Sequence, residues 1–217
     1  MSGRRAINDR PVRTALGQEG FGRLSNVSRE TLDRLGLYVE LLRAWNRRIN
    51  LVGRSTIGDV WRRHVLDSAQ LQRLLPSAAR VLVDVGSGAG LPGLILAILG
   101  VPEVHLIESD LRKAAFLREA IRVTGAPATL HAMRSERVPP FAADAVTARA
   151  LAPLSELLDI VEPFVGPHSI CVFLCGRTVE EELTLARKAW KMKVERLPSA
   201  SDPSGTILRI GSLAREP

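Results

Sequence analysis

The sequence predicts an α/β fold, a doubly wound and mostly parallel sheet preceded by an N-terminal helical extension. Three observations point there. From Arg80 onward, short apolar runs alternate with helix-length segments, the pattern of a parallel sheet covered on both faces. The first of those runs ends in a glycine-rich turn. The last two flank a Pro/Ser/Gly turn, as the strands of an antiparallel hairpin do.

The elements follow in order. Residues 1–20 are basic and lack the apolar core of a secretory signal, so they read as a loosely ordered arm. Leu32, Leu35, Val39, Leu42, Trp45 and Ile49 recur three or four apart. They mark an amphipathic helix over 28–49, opened by Ser28 as N-cap. Arg34, Arg43, Arg47 and Arg48 fall largely off that stripe and can face solvent or RNA. A second helix is expected from near Ser55 to about Leu75, with Ile57, Val60, Val65 and Leu71 inward and Pro76 ending it. Trp45 and Trp61 read as core fillers. Residues 21–78 thus form the helical extension and 79–212 the α/β core, treated together as one compact domain.

Within the core, VLVDVG (81–86) is a buried strand and LPGLILAIL (91–99) a helix. VHLIE (104–108) is a second strand, and 110–124 a second amphipathic helix. ATLHA, DAVTA and SICVFL are further strands, with a helix at 153–163 between the last two. A helix near 177–190 leads to the hairpin strands KVERLP and GTILRI.

Composition bounds the function. The 217 residues are 46% apolar, enough for a sizeable core. No run approaches the roughly 18 apolar residues of a membrane span, so no membrane partner is expected. Cys171 and Cys175 match no metal or redox spacing, which suits a reduced, cytoplasmic setting. Residues 1–80 hold 15 Arg against 7 acidic residues, whereas the remainder holds 15 basic against 16 acidic ones. Basic charge gathered at one end suits a module that neutralises phosphates. Arg-rich coding bias explains Arg over Lys but not this asymmetry.

The turn DVGSGAGLPG runs over 84–93, at the end of the first parallel strand, where ligands of open α/β sheets bind. Gly86, Gly88 and Gly90 let the backbone turn sharply and approach a ligand. Glu108 ends the next strand, 22 residues after Gly86, where a carboxylate can accept hydrogen bonds from both hydroxyls of a ribose. These features describe an adenosine-containing cofactor site, and two cofactors compete for it. Gly88, Gly90 and Gly93 match G-x-G-x-x-G, which can signal a dinucleotide. S-adenosylmethionine is the better match. Asp84 stands directly before the glycines, where a methyltransferase holds the methionine end of its cofactor, and nothing resembles a separate hydride-acceptor domain.

The residues resemble the RsmG (GidB) methyltransferases. The resemblance runs from about residue 32 to 210. It rests on Asn50-Leu51, Arg63-His64-x-x-Asp67-Ser68, the run from Asp84 to Gly93, the segment from Lys113 to Leu117, and Arg149-Ala150. It implies a cytoplasmic class I methyltransferase, Rossmann-like, with a seven-stranded sheet ending in an antiparallel hairpin. It also implies methylation of guanine N7 in 16S ribosomal RNA. By the resemblance, Gly86 and Leu91 match cofactor-contacting positions, and Ser135 and Glu136 match a pair placed to meet the adenine. Arg149 matches the family's Ser-Arg step, although Ala148 replaces the serine. Cys175 stands where relatives usually show a lysine, removing a positive charge near the substrate side.

Guanine N7 carries an in-plane lone pair and no proton, so methyl transfer to it needs positioning rather than a general base. No catalytic dyad is therefore expected. Arg149 is the candidate for cofactor contact, with a substrate role open. His64, Asp67 and Ser68 share one helical face, but a serine without an elbow turn is a poor nucleophile platform. Two ligands are too few for zinc, so no metal is expected. His64 and Asp67 are read as a polar contact bracing the N-terminal helices against the cofactor loop. Arg47, Arg48, Arg54, Arg62 and Arg63 form the RNA-facing cluster, with 16S RNA or the small subunit as partner and a monomer as default. The competing readings are a nicotinamide-dependent oxidoreductase and a non-catalytic RNA-binding or ribosome-assembly factor.

Overall fold

The computed structural model describes residues 15–176 and 178–216. Most of the expected N-terminal arm, residues 1–14, lies outside them, and its expected end at residue 20 falls within a helix. That helix is α1 (Gln18–Ser25). It is followed by α2 (Arg29–Asn46), where the Ser28 side chain accepts from the Thr31 N–H as the expected N-cap. Leu32, Leu35, Val39 and Leu42 are buried on the inner face of α2.

The helix expected over 55–75 is not one regular α-helix. It is a 3-10 turn (Ile57–Asp59), a π-helical stretch (Trp61–Leu66), a short α3 (Asp67–Ala69) and a second 3-10 turn (Gln70–Leu74). Trp61, His64, Val65 and Ser68, spaced i, i+3, i+4 and i+7, all point inward. Apolar spacing signals the helix but not this change of pitch. Arg34 is also redirected from the solvent or RNA face. Its Nε donates to the Thr124 carbonyl at 2.6 Å and its Nη2 to that of Gly125 at 3.0 Å, satisfying the carbonyl end of a neighbouring helix.

That neighbour is α5 (Leu111–Thr124), N-capped by Asp110. It belongs to the core sequence β1 (Val81–Val85), α4 (Gly93–Ile98), β2 (Glu103–Ile107), α5, β3 (Ala128–His131) and β4 (Ala143–Arg149). Then come α6 (Leu154–Val161), β5 (Val165–Cys175), α7 (Val179–Ala186), β6 (Trp190–Pro198) and β7 (Thr206–Arg215). The seven strands lie in the order β3-β2-β1-β4-β5-β7-β6. All pairs from β3 to β5 are parallel, and β7 pairs antiparallel with both β5 and β6. The order reverses between β1 and β4, the switch point that opens a crevice at the strand carboxyl ends.

Alternation along the strands divides the core. Leu82, Val104 and Leu106 face a layer with α1, α2, α4 and α5. Val83, Val85 and Val146 face α6 and α7. Trp61 packs on Phe21 and Trp45 on Phe116, with centroids 5.6 and 5.8 Å apart, so both fill this interior. The helical extension therefore shares one core with the sheet. Among the described residues, no helix is long and apolar enough to cross a membrane.

Candidate functional site

A cavity of about 600 Å³ opens at the carboxyl ends of β1, β2 and β4. Its floor is the loop after β1. Gly86, Gly88 and Gly90 have φ of 67°, 57° and 78°, left-handed values that favour glycine. A Cβ on Gly86 would lie 2.5 Å from Leu151 Cδ1, and one on Gly90 would lie 2.7 Å from Leu94 Cβ. The loop is tied from outside. Tyr38 of α2, fully buried, donates its hydroxyl proton to the Ala89 carbonyl at 2.8 Å. Burial holds that phenol well above its ordinary pKa, so it stays a donor.

Glu108 stands beside that loop. Its Oε2 accepts from the Gly88 N–H at 2.9 Å and its Oε1 from the Asp110 N–H at 2.7 Å. The carboxylate is thus oriented by main chain, and each oxygen keeps a lone pair toward the cavity. Gly86, Gly88, Leu91, Glu108, Ser135, Glu136 and Arg149 all line this space. Two expected contacts do not. Gly90 is spent on packing against Leu94 and Leu117. Asp84 is fully buried behind the loop, because strand alternation turns it toward α4 with Leu82. There its Oδ1 accepts from Thr147 Oγ1 at 2.7 Å, while Oδ2 has no hydrogen-bond partner among the described residues. Burial raises its pKa to about 6, against the opposing pull of the Thr147 bond. In this position Asp84 holds the strand end behind the loop.

Leu51, Lys113, Met133, Arg134 and Leu151 also line the cavity and escaped the sequence reading of the site, as did Tyr38 behind it. Met133, Arg134 and Leu151 closely follow strand ends, a positional signal that could have found them. Leu51 and Tyr38 come from the helical extension; Asn50-Leu51 carries part of the family resemblance without a site role, and no local pattern marks Tyr38.

A second cavity, about 400 Å³, shares Leu51, Arg149 and Ala150 with the first. Arg149 Nη1 lies 3.1 Å from His64 Nδ1 and 3.7 Å from Asp67 Oδ2. His64 Nε2 lies 2.9 Å from Thr56 Oγ1, whose own proton goes to the Gly53 carbonyl at 2.7 Å. The His64 proton therefore sits on Nε2, and Nδ1 accepts from Arg149. Burial, then the Arg149 and Arg63 charges, lower the His64 pKa to about 3. The ring is neutral. Asp67 Oδ1 accepts from Gln70 Nε2 at 3.0 Å, from Ser199 Oγ at 3.2 Å and from Ser201 Oγ.

His64 and Asp67 thus meet through Arg149 rather than bonding to each other, and they brace β4 and the β6–β7 loop rather than the glycine loop. Ser68 is buried off both cavity walls, and its hydroxyl has no partner among the described residues. Ala150, next to Arg149, holds φ of 47°, a strained conformation for a residue with a Cβ. Cys175 lines the second cavity, and Cys171 is fully buried in the sheet.

The five arginines expected to face RNA separate into two groups. Arg47, Arg48 and Arg54 line a third concavity, joined by Arg112 and Lys113, beside the first cavity. Arg63 instead pairs with Asp202 at 2.7 Å on the rim of the second cavity. Arg62 is largely covered and pairs with Asp59 at 3.3 Å. Sequence proximity placed it with the others, but its side chain turns to Asp59.

Comparison with known proteins agrees with this geometry. Residues 31–206 match the GidB family, described as rRNA small subunit methyltransferase G. The chain is 64% identical to ribosomal RNA small subunit methyltransferase G of Rhodospirillum centenum, over 91% of this chain and 89% of that one. It is 56% identical to the protein of that name from Rhodospirillum rubrum, over 91% and 98%. Its fold is shared with the solved structure of M. jannaschii TYW2 in complex with AdoMet, at 16% identity and a TM-score of 0.51. That match covers 70% of this chain and 77% of that one.

Proposed function

The chain belongs to the rRNA small subunit methyltransferase G family, and on that premise we propose that it methylates N7 of a guanine in 16S ribosomal RNA, with S-adenosylmethionine as donor. One observation carries the reading: the glycine loop and the Glu108 carboxylate, bonded to each other through the Gly88 N–H, line one cavity at the switch point. The residues fit the donor. The loop is a main-chain cradle that a Cβ on Gly86 would close, and Glu108 offers free lone pairs to a ribose. Ser135 and Glu136 lie where an adenine would end, and Gly86 to Leu91 border the methionine portion, with Asp84 and Tyr38 holding that loop from behind. Family membership disfavours the nicotinamide-dependent alternative that the overlapping glycine pattern raised.

When bound, S-adenosylmethionine supplies a methyl group made electrophilic by its sulfonium. Guanine N7 has no proton to remove, so the chain need not supply a base. Neutral His64 keeps Arg149 turned to the boundary between the two cavities. Arg149 then orients the groups that meet there, and the apolar Leu51 and Leu151 limit water. Such positioning supplies much of the barrier lowering in a transfer between two bound partners.

The substrate is small-subunit RNA. Residues 21–78 serve as the extension that contacts it, and 79–212 as the transfer core. A monomer acting in the cytoplasm is the working state. The test is incubation with methyl-labelled S-adenosylmethionine and small subunits from cells lacking this gene. Label in 7-methylguanosine from 16S RNA is expected; label in another nucleoside would discard the guanine-N7 assignment.

A further inference from the structure

We propose that the second cavity is the acceptor pocket, and that Arg149 and Asp202 make it selective for guanine. This rests on the methyltransferase reading above. Among the described residues the cavity shares Leu51, Arg149 and Ala150 with the first, so a base seated in it presents to the cofactor side whichever edge lies against Arg149. Arg149 has one nitrogen committed to His64, and the rest of its guanidinium remains for a carbonyl. Asp202 lines the second cavity but not the first. Its Oδ2 is tethered by Arg63, and Ser204 donates twice to its Oδ1, each at 2.9 Å. These bonds and the Arg63 charge hold its carboxyl at about pKa 2, hence ionised.

A cation at the shared wall and a carboxylate beyond it match one base. Guanine carries the O6 acceptor beside N7 on one edge and the N1 and N2 donors on the next. With O6 on Arg149, N7 turns toward the first cavity and the donors turn toward Asp202. Adenine reverses the pattern. Its amino group would meet the cation, and its N1 lone pair would meet the carboxylate. The volume, about 400 Å³, lies within the range of pockets that enclose small ligands. At the pocket's mouth the N7 lone pair would form the CH3–N7 bond as the S–CH3 bond breaks, the electron pair returning to sulfur and S-adenosylhomocysteine being the leaving group.

The test compares small subunits reconstituted with guanosine or with inosine at the methylated position. Inosine keeps N7 and O6 and lacks only the 2-amino group. The wild-type chain is expected to prefer guanosine by about tenfold or more in kcat/KM, the scale of one base-edge contact. Asp202→Asn should lower transfer to guanosine about tenfold and bring the preference to within about twofold, with S-adenosylhomocysteine affinity unchanged. A wild-type chain indifferent to the amino group, or an Asp202→Asn chain that keeps the preference, overturns the pocket. The wild-type arm decides alone if the variant does not fold. No transfer by the wild type to guanosine subunits would instead overturn the methyltransferase reading itself.

Discussion

Around the first cavity the fixed polar groups are held by main chain: a glycine loop with left-handed turns and two N–H groups on Glu108. Around the second they are held by side chains bonded to one another, drawn from the π-helical stretch, the end of β4 and the β6–β7 loop. A main-chain site is set by where strands end and where glycine permits a left-handed turn. A side-chain site needs distant residues to keep their partners. The first is therefore sensitive at few positions and tolerant elsewhere, and the second is tunable one side chain at a time.

The largest effect should come from removing the one side chain on which the main-chain site depends. Glu108→Ala deletes a carboxylate that accepts two internal bonds and, in the proposed role, two from a ribose. At about 1.5–3 kcal/mol for each bond to a charged group, S-adenosylhomocysteine affinity should fall about 300-fold. Equilibrium dialysis measures it, and a loss under about fivefold would break the contrast between the two cavities.

Arg149→Met should act on the other side of the boundary. It removes the donor to His64 and the charge near Asp67. Single-turnover transfer should fall about 30-fold while cofactor affinity moves less than about threefold. Lysine in its place should restore little, because a point charge does not reproduce the guanidinium fork. Equal losses in both quantities would place Arg149 wholly in the first cavity.

Legibility in the sequence follows the same division. The glycine loop and Glu108 were readable because a main-chain site is written in contiguous residues: glycines after an apolar run, then an acid after the next run. The parallel sheet and the closing hairpin were likewise readable from alternating segments and a Pro/Ser/Gly turn. The His64–Arg149–Asp67 arrangement was not, since it joins residues 85 apart and further recruits Ser199 and Ser201. The π turn around His64 leaves no mark in apolar spacing. Asp84 shows the limit within the legible region. Its place before the glycines is apparent, but only strand alternation decides that it faces α4 and not the cavity.

A smaller effect is expected outside both cavities. Arg47 and Arg48 are exposed beside Arg112 and Lys113, a surface suited to phosphate. Reversing both to Glu should weaken RNA binding about tenfold near 0.1 M salt and flatten its salt dependence by about two counterions. The same change at Arg62, covered and paired with Asp59, should not flatten the slope. Cofactor affinity should stay at its wild-type value in the exposed double variant.

The smallest effect is a difference of slopes, and it sets one buried group of each region against the other. His64 has its pKa lowered to about 3 from 6.5, by burial first. Between those values the unfolded chain binds a proton that the folded chain refuses. Its contribution is thus present above pH 6.5 and lost as pH falls toward 3. Asp84 is raised to about 6 from 3.8, again by burial first. Between those values the folded chain holds the extra proton, so its contribution is present below pH 3.8 and lost as pH rises through 6. Between pH 6 and 5 each group changes stability by about 1 kcal/mol per unit, with opposite signs, and the two nearly cancel. Urea unfolding at pH 6.0 and 5.0 separates them. His64→Gln should leave a chain that gains stability relative to wild type as pH falls, and Asp84→Asn one that loses it. Taking differences from wild type removes the remaining groups, including His131, whose pKa is also lowered by burial. Parallel slopes in both variants would mean that the two regions do not carry opposing buried charges, and the contrast between them would reduce to geometry alone.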